Sequence, residues 1–179
     1  AAFGYDPKTG REIWKQAHVG HTSSTRPVFG NGLAFITTGY ATNGVQALRV
    51  DGQGDVTKSH VVWSFMETNK APSAPSPILV GDLLYPVNDQ GALTCLEART
   101  GAEVWSERIG GTYYASPIHA DGLLTIFSVQ GKALVVKAGR KFETVATNTL
   151  DEGCMASPAV IGDAMFVRTK EALYRIEGK

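Results

Sequence analysis

Apolar residues in this chain fall in short runs of roughly four to six, rich in Val, Ile, Leu and aromatics and separated by glycine turns, which is the pattern of β-strands. No stretch carries the 3.6-residue period of an amphipathic helix. The runs come in ordered groups. Each group opens on a pair ending in proline: Arg26-Pro27 (after Thr25), Ser76-Pro77, Ser116-Pro117 and Ser157-Pro158, with proline spacings of 50, 40 and 41 residues. A glycine turn and a second run follow, at 32–35, 81–85, 121–124 and 162–166. Another turn leads to a third run, at 45–50, 92–97, 133–136 and 172–176.

A repeat of about 40 residues holding four short strands predicts a β-propeller blade. A single four-stranded sheet cannot bury both faces, and stacking blades round an axis covers each face with a neighbour. Proline suits the start of the innermost strand, where its missing N–H breaks no ladder. The expected fold class is therefore all-β, a propeller segment of about four four-stranded blades. The expected units of this single domain are the outer strands of one blade at 1–15, blades at 25–65, 75–107 and 115–147, and an incomplete blade at 156–177. The first spacing is long because extra residues sit at 39–44 and 51–60, both placed in turns. Both ends of the chain fall inside blades, so the pattern reads as the C-terminal half of a ring of roughly six to eight blades.

A second motif links the third strand to the fourth. Gly4-Tyr5-Asp6-Pro7-Lys8-Thr9-Gly10-Arg11-Glu12-Ile13-Trp14 and Cys95-Leu96-Glu97-Ala98-Arg99-Thr100-Gly101-Ala102-Glu103-Val104-Trp105 run from a small residue through Thr-Gly to Trp. A copy broken by an insertion joins Ala47-Leu48 to Trp63, so all three tryptophans end a copy. The pattern resembles the tryptophan-docking motif, A-x-D-x-x-T-G-x-x-x-W, of the pyrroloquinoline-quinone-type propeller repeat, over essentially the whole chain. The resemblance implies that each indole docks between blades against the small first residue, Gly4, Ala47 or Cys95. In the third whole blade Val145 stands for the tryptophan and Val136 for the small residue, a paired change expected of a close-packed interface. Asp6 and Thr9 suit a side-chain-bonded turn before Gly10. These residues are structural, and the motif does not itself bind the quinone.

Composition narrows the partners. Lys plus Arg and Asp plus Glu number 17 each, giving zero net charge, which argues against a nucleic-acid binder and against a polybasic membrane-surface protein. Hydrophobic residues at 43% with charged residues at 19% exclude a disordered tail. Two cysteines, Cys95 and Cys154, are too few to staple a small fold. No apolar run approaches the roughly 18 residues of a transmembrane segment. The chain opens at Ala1 on a strand pattern and not on a signal peptide, as expected if earlier residues have been removed.

Propeller function usually sits on the loops at one face, joining blade to blade and second strand to third. The first kind offers His18, His21, Lys70, Tyr113, Tyr114, Asp151 and Glu152; the second offers Asn88, Asp89, Gln90, Gln130, Arg168 and Lys170. Together they predict a polar and aromatic rim fit for a peptide or a small polar ligand. His18 and His21 supply at most two ligands where zinc takes three or four, so they read as a solvated loop. Alternation puts at least one ring of Tyr113-Tyr114 into the packing. Asp151 and Glu152 are adjacent in an extended chain and point apart, which favours a turn over an acid–base pair. Cys154 has no histidine nearby in sequence and reads as a packed thiol, as does Cys95. Arg168 reads as a solvated edge. No catalytic or metal-ligating set emerges.

The resemblance implies two classes of function. One is a non-catalytic scaffold of bacterial envelopes, like the repeat proteins that include a lipoprotein assisting outer-membrane barrel assembly. It needs no cofactor, binds a protein or peptide on its top face, and is periplasmic or envelope-anchored. The other is part of a quinoprotein dehydrogenase, with bound pyrroloquinoline quinone, calcium, a catalytic aspartate and often a vicinal disulfide. The chain has no Cys-Cys pair and no motif for calcium ligands or base, so the scaffold is the preferred reading. The open strand positions at both ends predict a homodimer in which two chains close one ring.

Overall fold

Proline decides where each blade begins. In the computed structural model, which describes residues 1–178, each innermost strand starts at the residue after a repeat proline. The X-Pro pairs, expected inside these strands, lie just outside them. Their reason is a second use of the residue before proline: its N–H turns to the next blade. Arg26 donates to Ser76 Oγ, Ser76 to Ser116 Oγ and Ser116 to Ser157 Oγ, each at 2.9 Å. These bonds span 50, 40 and 41 residues, so the sequence period is written directly in a hydrogen-bonded belt.

In chain order, β1 (Ala2–Tyr5) and β2 (Glu12–Gln16) form a hairpin, followed by β3 (Val28–Gly30), β4 (Leu33–Thr37), β5 (Val45–Arg49), β6 (Gly54–Asp55) and β7 (Val61–Phe65). The next sheets are β8 (Ile78–Val80), β9 (Leu83–Tyr85), β10 (Ala92–Glu97) with β11 (Glu103–Arg108), and β12 (Ile118–Ala120), β13 (Leu123–Phe127), β14 (Lys132–Lys137) with β15 (Thr144–Thr149). The last sheet holds β16 (Ala159–Ile161), β17 (Ala164–Arg168) and β18 (Leu173–Glu177). Three sheets are four-stranded, in the orders β3-β4-β5-β7, β8-β9-β10-β11 and β12-β13-β14-β15. Neighbours within these sheets are antiparallel. Among the described residues no helix occurs. β15 runs two residues past the expected blade end at 147.

The core lies between the sheets. One cluster joins Tyr85, Leu93 and Cys95 of the second whole blade to Leu124, Ile126 and Val136 of the third. Another joins Phe35, Val45 and Ala47 of the first to Leu84 and Leu96 of the second. Leu83 and Tyr85 thus face one neighbour and Leu84 the other, and all three residues of β9 are buried. A strand packed on both faces needs a continuous apolar run, which is why these runs do not alternate.

Each tryptophan sits opposite its small partner: Gly4↔Trp14, Ala47↔Trp63 and Cys95↔Trp105, with a bulge immediately after. A Cβ on Gly4 would run into the Trp14 ring. Trp63 reaches into the next blade, where its Nε1–H donates to the Ala98 carbonyl at 2.9 Å. Its ring also lies across the Thr-Gly turn, so a Cβ on Gly101 would come within 2.6 Å of Cδ2. Trp105 repeats the move, donating to Gly139 O at 3.0 Å and meeting Phe142 edge-on at 5.4 Å. The Asp6 turn is bonded by its own side chain, with the Lys8 and Thr9 N–H groups donating to Oδ1.

Two sequence expectations are corrected. In the third whole blade the residues at the docking register are Val135 and Ala146, not Val136 and Val145. The bulge before Val136 moves the pairing by one, leaving Val136 in the core and Val145 exposed. The second concerns 51–60, which is not merely a turn. β6 crosses to the preceding sheet and pairs parallel with β2, Trp14 opposite Gly54, while Val56 plugs the cluster around Trp14 and Leu48. The insertion covers an edge that would otherwise expose unpaired backbone.

Removing the Trp63 ring should cost roughly 3 kcal/mol of stability through the cavity left between two blades. Trp63→Phe keeps most of the packing but strands the Ala98 carbonyl, costing about 1–2 kcal/mol. Urea melts of both variants check this ranking; a neutral Trp63→Ala would contradict it.

Candidate functional site

The loops entering each blade are stitched to the loops between that blade's second and third strands. Asp89 accepts from the N–H groups of Ser73 and Ala74, both at 3.1 Å, and from the Ser73 hydroxyl. Asn88 donates to Asn69 O at 2.7 Å, and Gln130 Oε1 accepts the Thr112 N–H at 3.2 Å. Val129 N–H donates to Thr112 O and Lys170 N–H to Gly153 O. The side chains that the sequence offers as a polar rim are thus largely spent on holding the rim together.

The rim candidates separate accordingly. Lys70 is half-buried and ion-paired to Glu103 at 2.7 Å. Glu152 accepts the Thr169 hydroxyl at 2.5 Å, and Arg168 donates to the carbonyls of Thr169 and Ala172. Tyr113, expected on the rim, is a correction: it is 0% exposed and packs with Ile109 and Leu93, while Tyr114 turns outward. His18 is half-buried, and desolvation lowers its pKa against the opposing effect of the Val19 carbonyl. His21 and Asp151 are exposed. Among the described residues no three His, Cys, Asp or Glu side chains come close enough to share a metal.

The exposed feature of this face was only partly legible in the sequence, which offered His21 but neither Val19 nor Tyr40. The segment 18–23 interlocks with the insertion at 39–44. His21 and Tyr40 exchange both backbone bonds, and their rings lie 5.7 Å apart. A Cβ on Gly39 would strike the His21 carbonyl, and one on Gly20 the Thr38 carbonyl, so only glycine permits the approach. Thr22 and Ala41 hold φ of 57° and 74°, a left-handed conformation costly for such residues. The result is a fixed knob that presents Val19 at 77% and Tyr40 at 62% exposure. The sequence signals it only through His21, read there as part of a solvated loop, and a tyrosine beside a glycine within an insertion.

At the inner strands the belt of X-Pro pairs borders a groove of about 490 Å³. No Asp or Glu lines it. Calcium takes roughly six to eight oxygen ligands, carboxylates among them, and this wall does not fit that ion. The two cysteines are buried in different blades, so nothing here matches the vicinal disulfide of the quinoprotein pattern. Burial raises the Cys95 thiol to about 11, which leaves it inert as a nucleophile.

The Tyr113 hydroxyl is buried without a partner among the described residues, and desolvation pushes its pKa up to about 12. The neutral phenol therefore favours folding fully below the unfolded value near 10, and that contribution is lost as pH rises from about 10 to 12. Tyr113→Phe should equal or exceed the parent in stability at pH 7, by up to about 1 kcal/mol. It should also lose less stability across the alkaline range, with buried Tyr85 accounting for part of what remains. Urea midpoints against pH test this; a variant much weaker at pH 7 would contradict it.

The family model described as outer membrane protein assembly factor BamB matches residues 54–149. The outer membrane protein assembly factor BamB of Burkholderia pseudomallei (strain K96243) is 30% identical over 107 residues, 59% of this chain and 27% of that protein. The chain therefore spans about a quarter of that relative's length. The crystal structure of BamB from Moraxella catarrhalis superposes with a TM-score of 0.76 at 18% identity, covering 98% of this chain and 51% of that one. The quinohemoprotein alcohol dehydrogenase ADHIIG of Pseudomonas putida HK5 gives 0.70 at 12% identity, covering 87% and 29%. The structural likenesses establish a propeller fold, one that a BamB protein shares with an alcohol dehydrogenase. With the family match running over more than half of its residues, from β6 through β15, the chain belongs to the BamB family of PQQ-type propellers.

Proposed function

We propose that this chain is a non-catalytic propeller segment that binds a protein partner during outer membrane protein assembly, in the periplasmic space of the envelope. The observation that carries the reading is the knob at Val19, His21 and Tyr40. It is apolar, aromatic, exposed and held by backbone bonds, and such pre-ordered aromatic anchors dominate protein interfaces. The surrounding polar groups are consumed in loop bonds, which suits a rigid docking face better than a reaction centre. The BamB match supports the process, and the reading requires no cofactor. No helix among the described residues is long and apolar enough to cross a membrane.

The blades form part of a larger ring in this reading. Among the described residues β18 carries no fourth strand, and β2 pairs with β1 and β6 instead of closing onto it. Ile161 and Leu173, on the face of the last sheet opposite Met165 and Tyr174, are apolar and exposed. Further blades of a longer protein would cover that side; a second copy closing the ring would do the same.

A photo-reactive amino acid at Tyr40 or Tyr114, expressed in a Gram-negative envelope, tests the binding face. The expected result is an adduct from position 40 with a component of the outer membrane assembly machinery, and none from a control at the buried position 113. Adducts equal at all sites, or only with proteins outside that machinery, would overturn the reading.

A further inference from the structure

The axial groove has a chemistry of its own. Its polar wall repeats one sequence position across four blades, Arg26, Ser76, Ser116 and Ser157, with His119 of β12 alongside. Each serine hydroxyl already accepts a backbone N–H from the blade before it. A hydroxyl that accepts retains one hydrogen to donate. Among the described residues none of these three oxygens donates to an acceptor, and the Arg26 guanidinium has no carboxylate partner. Three hydroxyl hydrogens and a planar cation therefore border a concave space that no acidic residue enters. The remaining wall is apolar, contributed by Ile78, Ile118, Val160 and three of the repeat prolines, Pro77, Pro117 and Pro158.

We infer that this groove binds a small organic anion, a carboxylate carried on an apolar body. Arg26 supplies the charge and a fork that meets both carboxylate oxygens. The serines supply neutral donors whose oxygens are fixed by the belt, so little ordering is needed on binding. The isoleucines, valine and prolines receive the hydrocarbon part, in the usual pattern of an apolar pocket with a few convergent polar groups. With no acid in the wall, the field of Arg26 is not cancelled locally. The site lies on the inner strands and is independent of the Tyr40 knob.

Octanoate and octanamide, alike in length and differing in charge, are the probes. Titrated into the full chain and followed by calorimetry and amide chemical shifts, octanoate should bind at least about tenfold more tightly than octanamide. The shifts should centre on Arg26, Ser76, Ser116 and His119 and spare Tyr40. Arg26→Gln should weaken octanoate by about tenfold or more, whereas Arg26→Lys keeps a substantial part of the affinity. Both variants should melt as the parent does, because the guanidinium holds no partner in the fold. Equal affinities for the two probes, no saturable shift with octanoate, or undiminished binding by Arg26→Gln would each overturn the inference.

Discussion

Every blade here has two apolar faces, and neither can be left in water. The device that meets this constraint is the indole laid from one blade across the next. Trp63 and Trp105 each combine a small residue opposite, a bulge that aims the ring, and a carbonyl ahead that takes the Nε1–H. The bond matters as well as the ring, because a buried indole N–H without an acceptor would oppose the burial that drives the stack. In the third whole blade the pair is Val135 and Ala146, with the larger residue on β14, and Phe142 of that blade meets the Trp105 indole of the one before.

The belt at the inner edge depends on the same stacking. A serine hydroxyl can accept the N–H of the preceding blade only if successive sheets are held at one separation, and 2.9 Å recurs at all three steps. The loops at the top face then meet across fixed distances, so Asp89, Asn88 and Gln130 can stitch them. Rigidity at the rim is thus inherited from the interblade packing. It is also what turns an inserted loop with Tyr40 into an ordered knob instead of a mobile hairpin. A scaffold that binds by shape gains from this, since little conformational freedom remains to be lost on docking.

The fold was open to reading because its constraints repeat. Proline marks the inner strand and Trp marks the outer one, and a period in both leaves few alternatives. What escaped the reading was local and unrepeated. The register of Val135 against Ala146 depends on a bulge, which no periodicity records. β6 is only Gly54 and Asp55, held by the edge of β2 rather than by strand propensity. Tyr113 and Tyr114 are indistinguishable by type, and only the packing against Ile109 and Leu93 separates them. The rim polar residues were recognisable as loop residues, but their partners lie in other loops and come together only in the fold.

The indole N–H groups offer the most direct test of interblade docking as the source of stability. Trp63 and Trp105 donate to the next blade, whereas Trp14 has no Nε1 acceptor among the described residues. Hydrogen exchange of the three indole resonances, followed by NMR in the ¹⁵N-labelled chain, should give two N–H groups protected nearly to the level of global unfolding and one that exchanges much faster. Three indoles exchanging at the same rate, or Trp14 as the slowest, would contradict the account.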